Sequence, residues 1–170
     1  ARLADYVLPA ATQFEKAETT FFNLEFPRNT FHLRHPLLEP LEGTLPEPEI
    51  WARLVRALGL VDDAVIERLR AAAGEGRGAY AQALGEATGS DPSLIRVLPF
   101  LLYETLGPTL PDGLAGAAAL WGLCQRVAMT YPHAMRRAGH DDGDALFDAI
   151  LAGRSGVTFT LDEYEDDWSY

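Results

Sequence analysis

Apolar side chains recur at helical spacing through most of the chain between residues 48 and 152. After Pro48 they stand three and four positions apart, so they fall on one face of a helix. Similar segments follow helix-start signals, because Asp62 and Asp91 can cap a helix and Pro92 suits a first turn. The pattern predicts helices at 48–59, 62–73, 78–88, 92–106, 114–130 and 143–152.

Strand signals are few by comparison. Residues 5–8 form a short apolar run that ends at Pro9, and residues 157–161 read VTFTL. The region 10–45 is rich in Pro, Asn and Thr without lasting periodicity, which is typical of an extended loop. The sequence therefore predicts a mainly α fold with a short N-terminal strand, an extended loop and a short strand near the C-terminus.

Charge and hydropathy exclude several functional classes. The chain has 25 acidic and 14 basic residues, a formal net charge of -11, whereas nucleic-acid binding needs clustered Lys and Arg to neutralise phosphates. The longest apolar stretch, at 113–124, is shorter than the roughly 20 residues that cross a bilayer. The single cysteine, Cys124, excludes an internal disulfide and permits a reducing compartment. We expect a cytoplasmic protein with neither nucleic-acid binding nor membrane insertion.

Candidate metal and catalytic clusters are weak. His32 and His35 have a ligand-like spacing, but they lie in the expected loop without an obvious third ligand. The sequence GHDDGD at 139–144 favours a cap for the helix that follows. The sequence GEGRG at 74–78 follows no strand and predicts a joint between helices instead of a phosphate-binding loop. These residues assign no catalytic or metal-binding position.

The opening segment carries three short motifs, which are ADYVLP at 4–9, EK at 15–16 and TFFNLE at 20–25. Their order resembles a stretch of the molybdopterin-dependent oxidoreductases of the dimethyl sulfoxide reductase family, which includes the large subunits of formate dehydrogenases and nitrate reductases. The family pattern is roughly A-D-x-V-L-P, then E-K, then G-T-F-x-N-x-E-G-R. The positions that match are Ala4, Asp5, Val7, Leu8, Pro9, Glu15, Lys16, Thr20, Phe21, Asn23 and Glu25.

The chain also departs from the family pattern. Residues 18–19 stand where the family has glycine, and residues 26–27 replace the Gly-Arg that often follows the glutamate. One residue more than in the pattern lies between Glu15 and Asn23. The helix start PEPEIWARL at 46–54 is again similar to the family, and beyond it no motif aligns.

The resemblance implies that the chain is an internal fragment of a larger α/β enzyme. Such enzymes hold molybdenum or tungsten between two molybdopterin guanine dinucleotides, and the cofactor performs the redox chemistry. The resemblance makes Glu15, Thr20, Asn23 and Glu25 the cofactor-binding candidates. Thr20 and Asn23 would offer hydrogen bonds to the pterin, while Glu15 and Glu25 would orient loops or the cofactor's amine groups. The chain alone is expected to be inactive.

The implied organisation has three segments. Residues 1–45 would be a partial cofactor-domain segment, residues 46–154 a helical region, and residues 155–170 a short strand and an acidic linker toward a further domain. The partners would be the remaining domains of the parent enzyme. The alternative is an acidic helical module for protein interaction or assembly, without enzymatic activity, because the sequence contains no complete catalytic set.

Overall fold

The computed structural model of the chain describes residues 3–20, 24–25 and 27–162. Helices dominate, since 58% of the chain is helical and the strands are short, which confirms the predicted mainly α fold class. The α-helices are α1 Glu47–Ala57, α2 Asp63–Glu75, α3 Arg77–Ser90, α4 Leu98–Leu101, α5 Ala118–Thr130, α6 Pro132–Arg137 and α7 Gly143–Ala152.

Three aspartates begin helical segments as the sequence predicts. The carboxylate of Asp62 accepts a hydrogen bond from Ala64 N at the start of α2, at 2.9 Å. Asp91 and Asp142 accept from backbone N–H groups in the same way. Each aspartate satisfies a donor that the first helical turn leaves without an intrahelical partner. The interpretation of the 139–144 sequence as a helix cap is confirmed.

The prediction of a single helix over 92–106 is wrong. The segment is instead a 3₁₀-helix at Pro92–Val97, the short α4, a π-helix at Leu102–Leu106 and a further 3₁₀ turn at Gly107–Thr109. Val97 has φ -113° and ψ 18°, outside the helical region. Because Pro99 cannot donate a backbone hydrogen bond, it starts a new helix instead of continuing the old one.

A further helix, α6, follows α5 in a segment where the sequence predicts none. Tyr131 breaks the helical backbone with φ -130° and ψ 54°, and Pro132 then stands in the first turn of α6. A proline at this position is favourable because its missing N–H would have no intrahelical partner. Pro132 therefore ends one helix and begins the next.

The strands lie elsewhere than expected. The strand predicted over 5–8 is wrong, because the described residues 4–9 have no strand partner and only an isolated bridge joins Ala10 to Leu45. The expected loop at 10–45 contains three strands of a four-stranded sheet. The strands are β1 Glu18–Thr20, β2 Leu24–Glu25, β3 Arg28–Arg34 and β4 Val157–Leu161. The predicted C-terminal strand is confirmed as β4.

The strand β3 is the centre of the sheet. It pairs antiparallel with β1, β2 and β4. Inside the β3–β4 pair, Asn29 Nδ2 donates a hydrogen bond to Thr160 Oγ1 at 3.0 Å, and both residues are buried. A buried amide needs such a partner, so this bond favours one register of β3 against β4.

The chain divides into two compact units, each built from separate segments. The first unit comprises Ala1–Ala17 with His35–Ala118, and the second comprises Glu18–Arg34 with Ala119–Tyr170. The predicted three-segment organisation concerns the parent enzyme and stays a prediction. The buried side chains of the first unit include Leu69, Tyr80, Leu101 and Leu106, and those of the second include Trp121, Met135, Leu146 and Phe147.

Candidate functional site

Glu15 closes a turn in the first unit. Glu15 is only 8% exposed, and its Oε2 accepts a hydrogen bond from Thr12 N at 2.8 Å. Glu15 N in turn donates to Thr12 O at 3.0 Å. The two bonds fix the backbone of residues 12–15, so the carboxylate of Glu15 organises its own loop.

Glu15 and Lys16 line a cleft of about 370 Å³ in the first unit. Glu39, Tyr103 and Asp112 add polar groups to its wall. The volume lies in the range of small-molecule sites, about 300–1,000 Å³. Carboxylates, an ammonium group and a phenol together can recognise a ligand that carries both hydrogen-bond donors and acceptors.

Lys16 connects the cleft to the first helix through an ion pair with Glu47. Burial alone raises the pKa of Glu47. The hydrogen bond from Lys16, a backbone hydrogen bond and the charge of Lys16 together outweigh burial, so the pKa lies below its ordinary value. Gly113, which also lines the cleft, lies close to Pro36. It has φ +77°, and a Cβ there would lie 2.9 Å from Pro36 Cγ. Glycine is therefore the residue that this close approach permits.

The other predicted cofactor-binding residues belong to the second unit. Thr20 is the last residue of β1 and pairs with His32, and Glu25 in β2 pairs with Arg28. Asn23 lies outside the described residues. The assignment of Glu15, Thr20, Asn23 and Glu25 to one site therefore stays a prediction.

Sequence reasoning missed a buried carboxylate, that of Glu104. Its side chain is 2% exposed and lies in the π-helix of the first unit. Arg56 and Arg70 both donate to Glu104 Oε2, the latter at 3.0 Å, while Arg70 Nε donates to Glu104 O at 3.1 Å. The hydrogen bond to Glu104 raises the pKa of Arg56. The one signal in the sequence is a carboxylate within the apolar run FLLYETL at 100–106.

A second polar contact lies beside Glu104. Tyr103 Oη donates to Glu49 Oε2 at 3.0 Å. Burial, followed by this hydrogen bond to a carboxylate, raises the pKa of Tyr103 to about 12. A small cavity of about 210 Å³ is lined by Tyr103, Glu104 and the two arginines, among others. Glu104 Oε1 is buried and has no donor among the described residues, so it can accept a hydrogen bond from an N–H or O–H group.

Two of the weaker candidates have structural roles in the described part of the chain. His140 Nε2 lies 2.8 Å from Thr158 O, and Asp142 caps α7. Cys124 is buried. Within the described ranges no cluster of three or more His, Cys, Asp or Glu side chains could hold a metal ion.

Among the residues described, no helix has the length and apolar character needed to cross a bilayer. Comparison of the chain with protein-family models, with curated proteins and with solved structures gave no match. The family resemblance therefore rests on the motifs of residues 4–25 and 46–54 themselves.

Proposed function

We propose that the chain is an internal part of a molybdenum or tungsten oxidoreductase of the dimethyl sulfoxide reductase family, acting in the cytoplasm. In this role it contributes part of the cavity wall around two molybdopterin guanine dinucleotides and is inactive alone. The motifs at 4–9, 15–16 and 20–25 carry the proposal. When bound, the cofactor supplies the two-electron chemistry, and the chain supplies hydrogen bonds and shape.

The chemistry of the cleft supports this role. A pterin presents ring N–H and amine donors beside carbonyl and ring-nitrogen acceptors. The carboxylates of Glu39 and Asp112 suit the donors, and the ammonium group of Lys16 suits an acceptor or a phosphate. Glu15, because it holds its loop closed, would position Lys16 and not contact the cofactor itself.

Exposed apolar side chains in the first unit support its place in a larger protein. Leu3 is fully exposed at 101%, and Trp51 is 64% exposed on α1. Scattered apolar residues on a surface are ordinary, whereas a concentration of them marks an interaction surface. The large apolar side chains in question are Leu3, Tyr6, Val7, Leu8, Leu37, Leu38, Leu41, Trp51, Leu58 and Leu60. The remaining domains of the parent enzyme would cover them.

The first test uses the full-length product of the gene, made in a host that synthesises the molybdenum cofactor. Elemental analysis and fluorescence of the released pterin should find metal and pterin in it. Glu15→Ala should weaken cofactor retention by roughly 1–3 kcal/mol, because the Thr12 N–H loses its buried partner and the loop loosens. Thr20→Ala, Asn23→Ala and Glu25→Ala test the other assigned residues by the same measurement.

The matched control is Glu42→Ala, since Glu42 is exposed and makes no described hydrogen bond. It should retain the cofactor fully. A full-length product that contains neither pterin nor molybdenum nor tungsten overturns the proposal. The same exposed apolar surface would then favour the alternative, an acidic helical module that binds another protein.

A further inference from the structure

The second unit contains an apolar cavity that the proposed function does not use. Its volume is about 370 Å³, and it lies between α5, α7 and the strands β3 and β4. This volume is within the range of small-molecule sites, about 300–1,000 Å³. The apolar lining includes Phe31, Leu120, Val127, Leu146, Ile150 and Phe159.

Hydrogen bonds hold the two helices of this cavity in place. Asp144 Oδ1 on α7 accepts from Trp121 Nε1 at 2.6 Å and from Gln125 Nε2 at 2.9 Å, both on α5. The helices approach so closely that a Cβ on Gly143 would lie 2.7 Å from Gln125 Oε1. These polar contacts between α5 and α7 involve side chains outside the cavity lining.

The charge at the cavity has one sign. Arg126 lines the cavity and is exposed, so it lies where the cavity meets solvent. Among the described residues that line the cavity, none is a carboxylate, and Arg126 has no ion pair within the described part of the chain. Thr130 and Tyr131, which carry hydroxyl groups, are also among the lining residues. The guanidinium group lies beside an apolar space and has no carboxylate partner there. Such an arrangement is complementary to an anion with an apolar tail.

We propose that this cavity binds an amphipathic carboxylate, with its aliphatic tail among the apolar side chains and its carboxylate at Arg126. Transfer of the tail from water to the apolar lining supplies the main attraction. The charge-assisted hydrogen bond to Arg126 selects a carboxylate over a neutral head group of the same length. The inference is independent of the proposed function, because it uses none of the residues of the polar cleft.

Isoleucine methyl resonances of the 170-residue chain give a direct test. The chain has four isoleucines, Ile50, Ile66, Ile95 and Ile150, and only Ile150 lines this cavity. Titration with octanoate at neutral pH should shift the Ile150 resonance saturably and leave the other three in place. Octanol should shift the same resonance with weaker affinity.

The variant Arg126→Gln distinguishes the contribution of the ligand's head group to binding from that of its tail. Because an exposed ion pair contributes little, the affinity for octanoate should fall by about two- to fivefold, while the affinity for octanol should be unchanged. Arg126 is exposed, so this variant should fold normally. Val127→Trp, which fills the cavity, should abolish the shifts with both ligands.

Three results would overturn the inference. One is the absence of a saturable shift at Ile150 with octanoate. Another is equal affinity for octanoate and octanol together with no effect of Arg126→Gln, which would leave an apolar cavity without carboxylate selectivity. The third is a response of all four isoleucines, which indicates binding without a defined site.

Discussion

Within the part of the chain that the structure describes, Glu104 is held through one of its two carboxylate oxygens, on which Arg56 and Arg70 converge. Arg70→Ala should destabilise the chain by about 1–3 kcal/mol, because it removes a charge-assisted bond from a buried carboxylate and the bond to Glu104 O. Urea unfolding followed by circular dichroism measures this change. Arg68→Ala is the control on the same helix, since Arg68 is exposed and makes no described bond, and it should change the free energy of unfolding by less than about 0.5 kcal/mol. Equal effects of the two variants would contradict the role given to Glu104.

The residues that could be predicted from the sequence are those whose partners are close in the chain. Asp142 caps α7 through a backbone N–H three positions away, which a local pattern indicates. The partners of Glu104, Arg56 and Arg70, lie 48 and 34 positions away in the chain. Nothing in the sequence around Glu104 indicates which cations will reach it, so its pairing could not be predicted.

Among the helices, α7 offers the clearest test of how much a single N-terminal cap contributes to stability. Asp142→Ala removes the hydrogen bond to Ala145 N, which is 2.7 Å long, and should cost about 0.5–2 kcal/mol of stability. Thermal unfolding measures the loss. Asp141→Ala is the matched control, because this neighbouring aspartate is exposed and makes no described hydrogen bond. A comparable loss in Asp141→Ala would point to general charge effects at the helix start and not to capping.

Elements differ in how far the sequence determines them. The helices α1, α2 and α7 follow from apolar spacing and local start signals, both of which act within a few residues. The strands β1 to β3 lack such signals because their stability depends on pairing, and β3 pairs with β4 from the far end of the chain. The π-helix at Leu102–Leu106 carries the apolar pattern of an ordinary helix, so it could not be distinguished in advance.

For the whole molecule, a buried tyrosine, Tyr80, and a half-buried one, Tyr103, predict a loss of stability at alkaline pH. Burial raises the pKa of Tyr80 to about 12, against about 10 in the unfolded chain, and burial also raises that of Tyr103 to about 12. The folded state favours the neutral phenol, so this contribution is complete below pH 10. It is lost as the pH rises from about 10 to about 12, because the unfolded chain then releases protons first.

Unfolding free energies measured between pH 8 and pH 12 check this expectation. Tyr80→Phe should lose about 1 kcal/mol at neutral pH, because Thr105 loses a hydrogen-bond partner, and its stability should fall less steeply above pH 10. Tyr6→Phe, at a ring that is 90% exposed, should leave stability at neutral pH unchanged. Identical alkaline slopes in the wild type and Tyr80→Phe would contradict the assignment.

During translation, β3 is synthesised long before its partner strand β4. Asn29 on β3 and its partner Thr160 on β4 are 131 residues apart. At about 5–20 residues per second, β3 is made roughly 7–26 seconds before β4. The second segment of the first unit, His35–Ala118, is made within that interval, so the whole first unit has been made before β4. During biosynthesis the edge of β3 that pairs with β4 therefore stays unpaired until β4 has been made, and an unpaired strand edge can bind a nascent-chain chaperone.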